Sequence, residues 1–444
     1  MALKKFYLLS FGCAKNLVDT EKIAGALCHQ GYVPTAKLAD ADLVIINTCA
    51  FLKTARRESL QGISRITRQK KKMKGSLPKI IVVGCLARYY NEDKIKFLLP
   101  EVDRVFSPGE YHSIVSYLHS AIQPLGKSPS RYHQAGDQRL ITSSPHSVYL
   151  KIADGCDNRC SYCLIPSLRG PLRSRKMEDI LTEARVLLGL GAREINLVAQ
   201  DTTAYGLDLY GKKMLGTLLQ QLGKIKGLAW IRIMYTHPAH IEEDLLKIIA
   251  AEPRVCKYID LPLQHVSNPI LQHMGRGTTR EQISALYEKI RRTIPGVVLR
   301  TTVMVGYPVE GEKEFTELLR FLREYPFERL GAFIYSRERG TLAFTERQHV
   351  PSDLAKARYE QVMEQQAPIS RSFNRKLMGK RCTVLVDATI RKGNKFIGRL
   401  PTQAPEVDGK VFASGRGIYG AGEFIKVRIT GTGNHDLLAT GEED

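Results

Sequence analysis

The segment VYLKIADGCDNRCSYC, residues 148–163, joins a β-rich run to three closely spaced cysteines. These cysteines, Cys156, Cys160 and Cys163, have the spacing CxxxCxxC. A loop with this spacing can wrap three thiolates around three corners of a 4Fe-4S cube, which leaves the fourth iron without a protein ligand. A strand followed directly by such a loop fits the start of an α/β barrel, whose chemistry lies at the C-terminal ends of its strands.

The open iron gives this motif its chemistry, because it can chelate S-adenosylmethionine and pass one electron into its sulfonium. Cleavage then yields a 5′-deoxyadenosyl radical, which removes hydrogen from an unactivated carbon. A structural zinc site is the main alternative and would need a fourth ligand, whereas a redox dithiol would need only CxxC. Tyr162 precedes the third cysteine and either covers the adenine of the cofactor or is an ordinary core aromatic.

The region around the motif alternates strands with helical segments from Val148 to about Gln366. Its candidate strands are VYLKIAD, EINLVAQ, WIRIMYT, YIDLPL, LRTTVMVG and RLGAFIYS. Six such units predict a partial or complete parallel α/β barrel of the TIM type.

Upstream, three β-rich runs each end at a cysteine: KKFYLLSF before Cys13, DLVIINT before Cys49 and KIIVVG before Cys85. Helical spacing begins at Asn16, Lys53 and Asn91. Because each cysteine is 36 positions from the next, the pattern predicts parallel strands whose ends meet at one sheet edge. Three convergent thiolates make a second open 4Fe-4S site, where a vacant iron would carry sulfur. Three buried structural thiols are the alternative.

From about Gly379 the chain consists of short strands separated by Gly, Asn and Asp turns, which predicts a small antiparallel β-barrel. The fold class is therefore α/β, with a small β-barrel at the end. The expected divisions are an N-terminal parallel βα domain at 1–123, a polar linker at 124–147, the α/β barrel at 148–376 and the β-barrel at 377–444.

Composition limits the protein class. The chain has 444 residues, 43% of them apolar, with 66 Lys and Arg against 45 Asp and Glu, a formal charge of +21. This apolar fraction excludes general disorder, and no apolar run is long enough to span a membrane. The N-terminus lacks the features of a signal peptide, so we expect a cytoplasmic protein. In that compartment nine cysteines indicate metal binding or catalysis rather than disulfides.

The positive charge favours a polyanionic partner. It is densest at residues 53–74, where nine basic groups accompany one acidic group. This segment is either a nucleic-acid contact or a solvated helix face. The C-terminal part from residue 379 is nearly neutral, with ten basic and eight acidic side chains.

With both cysteine trios placed, the whole chain resembles a radical S-adenosylmethionine methylthiotransferase. That family has an N-terminal methylthiotransferase domain with three cysteines, a radical barrel with CxxxCxxC, and a C-terminal TRAM β-barrel. Three strings resemble the RimO type, which modifies an aspartate of small-subunit ribosomal protein twelve, rather than the tRNA-modifying type: GCAKNLVDTE at 12–21, AQDTTAYG at 199–206 and LPLQHVSNPIL at 261–271.

Two strings depart from this pattern. MGRGTTRE, residues 274–281, resembles the tRNA type, and GYPVEGE has Val309 where the family usually has glycine. The methylthiolation of a modified adenosine in tRNA is therefore the alternative activity. A non-catalytic RNA-binding protein with structural zinc or iron-sulfur sites is a third hypothesis, from a different class.

The resemblance also implies a mechanism with two 4Fe-4S clusters and S-adenosylmethionine. The adenosyl radical removes hydrogen from the β-carbon of the target aspartate, and the resulting carbon radical takes sulfur held at the N-terminal cluster. A second S-adenosylmethionine supplies the methyl group. By their positions in the barrel, Gln200, Asp201 and Gly306 would bind the cofactor, although Gln200 and Asp201 would also suit loop backbone bonding. The implied partners are ribosomal protein twelve, free or within the ribosomal subunit, an electron donor and a sulfur source, without a membrane.

Overall fold

The structure, a computed structural model, describes residues 3–73, 77–120, 139–390, 394–415 and 417–442. These residues form two compact units. The first contains the described part of 1–142 with the segments 154–157 and 163–172, and the second contains 143–153, 158–162 and the described part of 173–444. Residues 124–138 of the expected linker lie outside the described residues. Arg139, the first described residue after this gap, contacts the first unit: its Nε donates to Glu21 Oε2 at 2.7 Å.

The first unit is built on a parallel sheet with strand order β2-β1-β3-β4-β5. Its strands are β1 Lys5–Ser10, β2 Val33–Pro34, β3 Leu43–Thr48, β4 Lys79–Gly84 and β5 Arg104–Phe106. Its helices are α1 Ala14–His29, α2 Lys53–Lys72, α3 Cys85–Leu98, α4 Tyr111–Ser120 and α5 Ile165–Arg169. The central strand β3 is buried at every position, as expected for a parallel sheet covered on both faces.

Two apolar cores cover the faces of this sheet. One includes side chains from α2, α3 and α5, and the other includes side chains from α1 and α4. The helix at Lys53 begins where the sequence predicts, and α1 begins two residues earlier than expected. The expected helical start at Asn91 is confirmed as the start of a second helical segment, which follows a kink where φ of Asn91 is 60°. The segment before the kink, from Cys85, was not predicted. Asn91 starts a second helical segment, because its Oδ1 accepts a hydrogen bond from Lys94 N–H at 2.9 Å and asparagine tolerates this backbone.

The second unit contains the predicted α/β architecture, with a six-stranded parallel sheet in the order β13-β12-β11-β10-β9-β6. Its strands are β6 Ser147–Lys151, β9 Glu194–Val198, β10 Trp230–Ile233, β11 Val255–Asp260, β12 Val298–Val305 and β13 Arg329–Ile334; the short strands β7 Ala153–Asp154 and β8 Arg173–Ser174 form a separate pair. Its helices are α6 Met177–Gly189, α7 Leu207–Tyr210, α8 Leu215–Gly223, α9 Glu243–Ala251, α10 Asn268–His273, α11 Arg280–Thr293, α12 Glu312–Glu324 and α13 Ser352–Arg375. All six predicted strands are present, which confirms the partial barrel.

The C-terminal strands form the predicted small barrel, closed in the order β14-β15-β16-β18-β17. Its strands are β14 Arg381–Ile390, β15 Lys395–Arg399, β16 Val411–Ser414, β17 Phe424–Thr432 and β18 Leu437–Gly441. Sequence analysis missed β18, which pairs in parallel with β16 and so makes the barrel not wholly antiparallel. The reason is its length, since five residues, LLATG, are too few to show a clear alternation of buried and exposed side chains.

The small barrel belongs to the same compact unit as the six-stranded sheet. Buried Glu194 on β9 joins the two parts, accepting from Arg232 Nε at 3.0 Å and from Arg399 Nη2 at 2.8 Å. Within the described residues, no helix has both the length and the apolar character needed to cross a lipid bilayer.

Candidate active site

Three cysteines meet at the C-terminal edge of the first unit's sheet, as the strand pattern predicts. Cys13 is the N-cap of α1, Cys49 follows β3 directly, and Cys85 is the first residue of α3. They are close enough that the charges of Cys85 and Cys13 both act on Cys49. We call these three side chains the N-terminal thiol site.

Two glycines make this convergence possible. Gly12 has φ of +98°, and a Cβ there would lie 2.6 Å from Cys49 Cβ and 3.0 Å from its Sγ. Gly84 has φ of +97°, and a Cβ there would overlap the Asn47 side chain and the Thr48 carbonyl. Because L-residues rarely adopt this backbone and no side chain fits, both positions require glycine.

Amide side chains hold the ends of the strands in place around the thiols. Asn16 Nδ2 donates to the carbonyls of Phe11 at 2.9 Å and Thr48 at 3.0 Å. Asn47 Nδ2 donates to the carbonyl of Asn16 at 2.9 Å. These buried bonds connect the loops after β1 and β3, so the separation of Cys13 and Cys49 is fixed by the fold.

Arg169, at the end of α5, is a site residue that sequence analysis missed. Its buried guanidinium donates to Asp19 Oδ2 at 2.7 Å, to Asp154 Oδ2 at 3.0 Å and to Asn16 Oδ1. It also forms a hydrogen bond with Cys85. In the sequence, the one indication of its role is a charged residue in a five-residue segment that is otherwise mostly apolar. Such a pattern does not identify partners that are distant along the chain.

The thiols differ in their tendency to ionise. Burial raises the pKa of Cys49 to about 11 and also raises the pKa of Cys85, which Arg169 opposes. At Cys13 desolvation acts in the same direction, but the charge of Lys15, the backbone N–H of Asn16 and the charge of Arg169 outweigh it and lower the pKa. Two of the three thiols therefore favour their protonated form unless a metal stabilises the thiolate.

The spacing of the three thiols differs from that of ligands around a single zinc ion. A tetrahedral zinc ion with Zn–S bonds of about 2.3 Å would hold its sulfur ligands roughly 3.8 Å apart. Among the described residues, three potential ligand atoms lie within 4.8 Å of one another at Asp201, His237 and His240, and the N-terminal thiol site does not form such a group. Three convergent but more widely spaced thiols suit a 4Fe-4S cube.

The cysteines of the CxxxCxxC loop are placed by separate contacts. In the first unit, Cys156 N–H donates to the Gly170 carbonyl at 3.1 Å, and Ile165 N–H donates to Cys163 Sγ at 3.4 Å. In the second unit, Arg276 Nη1 lies 3.7 Å from Cys160 Sγ. The Sγ atoms of Cys160 and Cys163 therefore each have a donor nearby, and Cys156 is held through its backbone.

Arg276 is a second arginine that sequence analysis missed. It is buried, and its Nη2 donates to the Pro262 carbonyl at 2.6 Å. Its Nη1 lies 3.4 Å from Tyr162 OH. Tyr162 also packs against an apolar cluster that includes Met304 and Tyr307. These contacts are the ones expected of an ordinary core aromatic, which was the alternative to covering the adenine.

Asp201 lies in the loop after β9, and both of its carboxylate oxygens contact neighbouring side chains or backbone. Oδ1 accepts from the Thr203 N–H at 3.0 Å, while Oδ2 accepts from Asn158 Nδ2 at 2.9 Å and lies 2.6 Å from His240 Nδ1. Burial alone would raise the pKa of Asp201, but the hydrogen bonds from His240 and Thr203 hold it at about 2. The carboxylate therefore orders the loop at the C-terminal end of the sheet.

His237 stacks on His240, with ring centroids 4.6 Å apart, and completes a possible metal-binding group with Asp201. Its Nδ1 accepts from Ala239 N–H at 3.3 Å, so the neutral ring carries its proton on Nε2. Burial, together with the charge of Arg276, lowers the pKa of His237 to about 3. Nε2 is buried without a hydrogen-bond partner among the described residues, which suits donation to a ligand better than coordination of a metal.

The remaining predicted cofactor residues lie at strand ends of the same sheet. Gln200 is two residues beyond β9, and Gly306 directly follows β12. Gly306 has φ of +71°, and a Cβ there would come within 2.6 Å of Ala355 Cβ, so its close packing on α13 explains the glycine. Val309, in the same loop, has φ of 64°, a conformation that a β-branched residue rarely adopts.

Three segments of the chain match known family models. Residues 5–107 match the family described as uncharacterized protein family UPF0004. Residues 150–322 match the radical SAM superfamily, and residues 378–441 match the TRAM domain.

Curated relatives match over nearly the whole length. The chain is 43% identical over 443 residues to the ribosomal protein uS12 methylthiotransferase RimO of Pelotomaculum thermopropionicum, covering 99% of each chain. It is 42% identical over 428 residues to the RimO of Elusimicrobium minutum, covering 96% of this chain and 97% of the relative. Against the RimO of Geobacter sulfurreducens it is 42% identical over 447 residues, covering 98% of each.

Solved structures with a similar fold are radical enzymes. TsrM from Kitasatospora setae, a radical S-adenosylmethionine methyltransferase with cobalamin and a 4Fe-4S cluster bound, matches with a TM-score of 0.57 at 12% identity, covering 76% of this chain and 73% of that one. The cobalamin-dependent S-adenosylmethionine radical enzyme OxsB matches with a TM-score of 0.52 at 13% identity, covering 82% of this chain and 56% of that one. At these identities the likeness shows the fold.

Proposed function

Because the chain belongs to the RimO type of radical S-adenosylmethionine methylthiotransferases, we propose that its substrate is ribosomal protein uS12. In the proposed reaction a C–H bond at the β-carbon of one aspartate is broken and a C–S bond is formed. The methyl group on that sulfur comes from S-adenosylmethionine, so the product is 3-methylthioaspartate.

The observation that carries this proposal is the convergence of Cys13, Cys49 and Cys85 in a chain that also contains CxxxCxxC. A radical enzyme that only removed hydrogen would need one cluster, whereas sulfur insertion also needs a place that holds sulfur. Gly12 and Gly84 support this role, because a side chain at either position would overlap neighbouring atoms and keep the three cysteines from converging.

We assign one 4Fe-4S cluster to each cysteine trio: Cys13, Cys49 and Cys85 for the first, and Cys156, Cys160 and Cys163 for the second. When bound, the second cluster supplies the electron that cleaves S-adenosylmethionine, and the first presents sulfur. Arg169 offsets the negative charge of the first set of thiolates, and Arg276 orients Cys160 by donating toward its sulfur.

Around the cofactor we assign contacts to Tyr162, Gln200 and Gly306. Asp201 acts there through its neighbours, because its carboxylate holds Asn158 and His240 in position. This assignment makes the loop after β9 a preorganised wall of the cofactor site.

The proposed divisions of the chain remain 1–123, 124–147, 148–376 and 377–444. We propose that the protein acts in the cytoplasm, where it meets uS12 free or within the small subunit. An electron donor and a sulfur source complete its partners.

A reconstitution experiment tests this function. The anaerobically reconstituted protein, expected to hold about eight irons, is given S-adenosylmethionine, a reductant, sulfide and either recombinant uS12 or total tRNA. We expect an aspartate-containing uS12 peptide to gain about 46 Da, since H is replaced by SCH3. A methylthio-adenosine in the tRNA with unchanged uS12 would overturn the substrate assignment, and zinc in place of iron would overturn the chemistry.

A further inference from the structure

The most basic segment of the chain forms α2, whose two faces differ sharply. Ile63 and Ile66 are buried in a core of the first unit. The opposite face exposes a row of side chains with spacings of four, four, three and four residues. This row, which we call the α2 ridge, consists of Arg57, Gln61, Arg65, Arg68 and Lys72. It lies on one side of the helix and extends about 22 Å.

The positive charges of the α2 ridge are not neutralised by the fold. Within the described part of the chain, its three arginines and Lys72 form no ion pair. Lys70 and Lys71, which point elsewhere on the same helix, pair with Asp103 and Glu101 respectively. The protein thus uses its nearby acidic groups on other lysines and leaves the ridge as an exposed row of positive charge.

A groove runs along each side of the ridge. The larger has a volume of about 780 Å³ and is lined by Phe11, Gly62, Gln69 and ridge side chains, together with one acidic group, Glu58. A Cβ at Gly62 would overlap the Phe11 ring, so glycine lets this aromatic lie against the helix. The smaller groove, of about 430 Å³, is lined in part by Tyr90. Each groove therefore places a half-buried aromatic ring beside the cations.

This combination points to one class of partner. Rows of arginine contact phosphates, and aromatic rings beside them receive unstacked bases. An anionic lipid surface would contact the cations alone, because the apolar face of α2 is buried and the two aromatic rings lie half-buried in the grooves. A duplex would also leave the aromatic grooves unused, since its bases are stacked inside.

We propose that the α2 ridge binds single-stranded RNA, with its cations on the phosphates and the two grooves receiving bases. The inference goes beyond the proposed function, because it concerns an RNA partner and not the protein that is methylthiolated. It also gives a role to the basic segment that methylthiolation does not explain.

The test measures binding of a fluorescein-labelled U15 oligonucleotide to the full-length protein by anisotropy between 50 and 200 mM KCl. The ridge variant Arg57→Gln/Arg65→Gln/Arg68→Gln should bind about tenfold or more weakly at 100 mM KCl. Its plot of log affinity against log salt should be shallower by about 2, because each phosphate contact to a single strand contributes roughly 0.7.

Two control variants separate site-specific binding from net charge and from folding. Arg185→Gln/Arg292→Gln/Arg320→Gln removes the same charge from exposed helix positions of the second unit and should bind within twofold of the parent. Arg57→Lys/Arg65→Lys/Arg68→Lys keeps the charge on the ridge and should retain most of the affinity and the parental salt slope.

Equal weakening in the ridge and control variants, or unchanged binding in the ridge variant, would overturn the proposal. Unchanged RNA binding together with lost binding to vesicles containing anionic lipid would assign the ridge to a membrane surface instead. Each variant is also assayed for S-adenosylmethionine cleavage without substrate, which should stay at the parental rate. Failure of uS12 methylthiolation with ridge-dependent RNA binding would refute the proposed function alone.

Discussion

The two cysteine trios are assembled in different ways. The CxxxCxxC trio lies within eight consecutive residues, 156–163, so local sequence alone keeps its cysteines close together. The N-terminal thiol site depends on strand register, since Ser10 pairs with Asn47 and Thr48 pairs with Gly84. A slip of one residue would turn the strand faces over and separate the thiols. One trio is therefore a local motif, and the other is a product of tertiary structure.

The difference suggests a division of labour. A local loop can adjust around its cluster and cofactor, whereas a site fixed by glycines, amide networks and a buried arginine holds its contents at a set position. The role proposed for the N-terminal thiol site, holding sulfur for a carbon radical, requires that second property.

The largest expected effect separates the roles of the trios. Cys160→Ala should reduce S-adenosylmethionine cleavage to background, because the cluster proposed for the barrel would then lack one of its three protein ligands. Cys49→Ala should retain part of the cleavage but form no methylthiolated product. Liquid chromatography for 5′-deoxyadenosine, with peptide mass spectrometry for uS12, measures both. Equal 5′-deoxyadenosine formation in the two variants, or a methylthiolated product from Cys49→Ala, would contradict this division of roles.

The two buried arginines allow a matched comparison of stability. Arg169→Met leaves Asp19 and Asp154 without their buried cation and should cost about 3 to 5 kcal/mol of unfolding free energy. Arg276→Met orphans the Pro262 carbonyl and should cost about 1 to 3 kcal/mol. Urea unfolding of the cluster-free protein measures both, with Arg169→Lys as the charge-retaining control. A smaller loss at Arg169 than at Arg276 would contradict the account of the first site.

Thiol reactivity should reflect the differences in pKa within the N-terminal thiol site. Cys13 is exposed and its pKa is lowered, whereas the buried Cys49 has a pKa of about 11. At pH 7.5 the cluster-free protein should alkylate with iodoacetamide about tenfold faster at Cys13. Peptide mapping over time gives the alkylation rate of each thiol. Raising the pH should reduce the difference between the two rates, because Cys49 then ionises. Faster labelling of Cys49 at neutral pH would show that the thiols are arranged differently.

The smallest expected effect is a change in stability at Val309, in the loop after β12. Val309→Gly relieves a positive φ in a β-branched residue and should raise the unfolding free energy by about 1 kcal/mol, less the chain entropy that glycine adds. Val309→Ala is the control, since it keeps the Cβ and most of the strain. Thermal unfolding compares them, and a loss of stability in the glycine variant would show that the side chain contributes packing that exceeds the strain.

Much of this architecture could be predicted from sequence, because periodicity reports how each segment is buried. The six barrel strands, the three strands that end at cysteines and the meeting of Cys13, Cys49 and Cys85 follow from local pattern plus the geometry of parallel sheets. Arg169 and Arg276 could not be found in this way. Their roles depend on partners as far away as Asp19 and Pro262, and no local pattern encodes such a contact.

The same limit applies to the loop after β9. Its position predicts a cofactor role for Asp201, but not that the carboxylate contacts Thr203, Asn158 and His240, one of which is 43 residues away. Strand β18 was missed for the opposite reason, since its pairing with β16 is imposed by closure of the barrel and its own pattern is weak.

The central claim is that this chain methylthiolates uS12, and mass spectrometry of that protein from cells tests it most directly. Cells lacking the gene are compared with cells carrying the wild-type gene or the Cys49→Ala variant. The account predicts a gain of about 46 Da on one aspartate with the wild-type gene and no gain in the other two strains. Identical uS12 masses in all three strains, with a methylthio-adenosine lost from tRNA in the deletion, would contradict it.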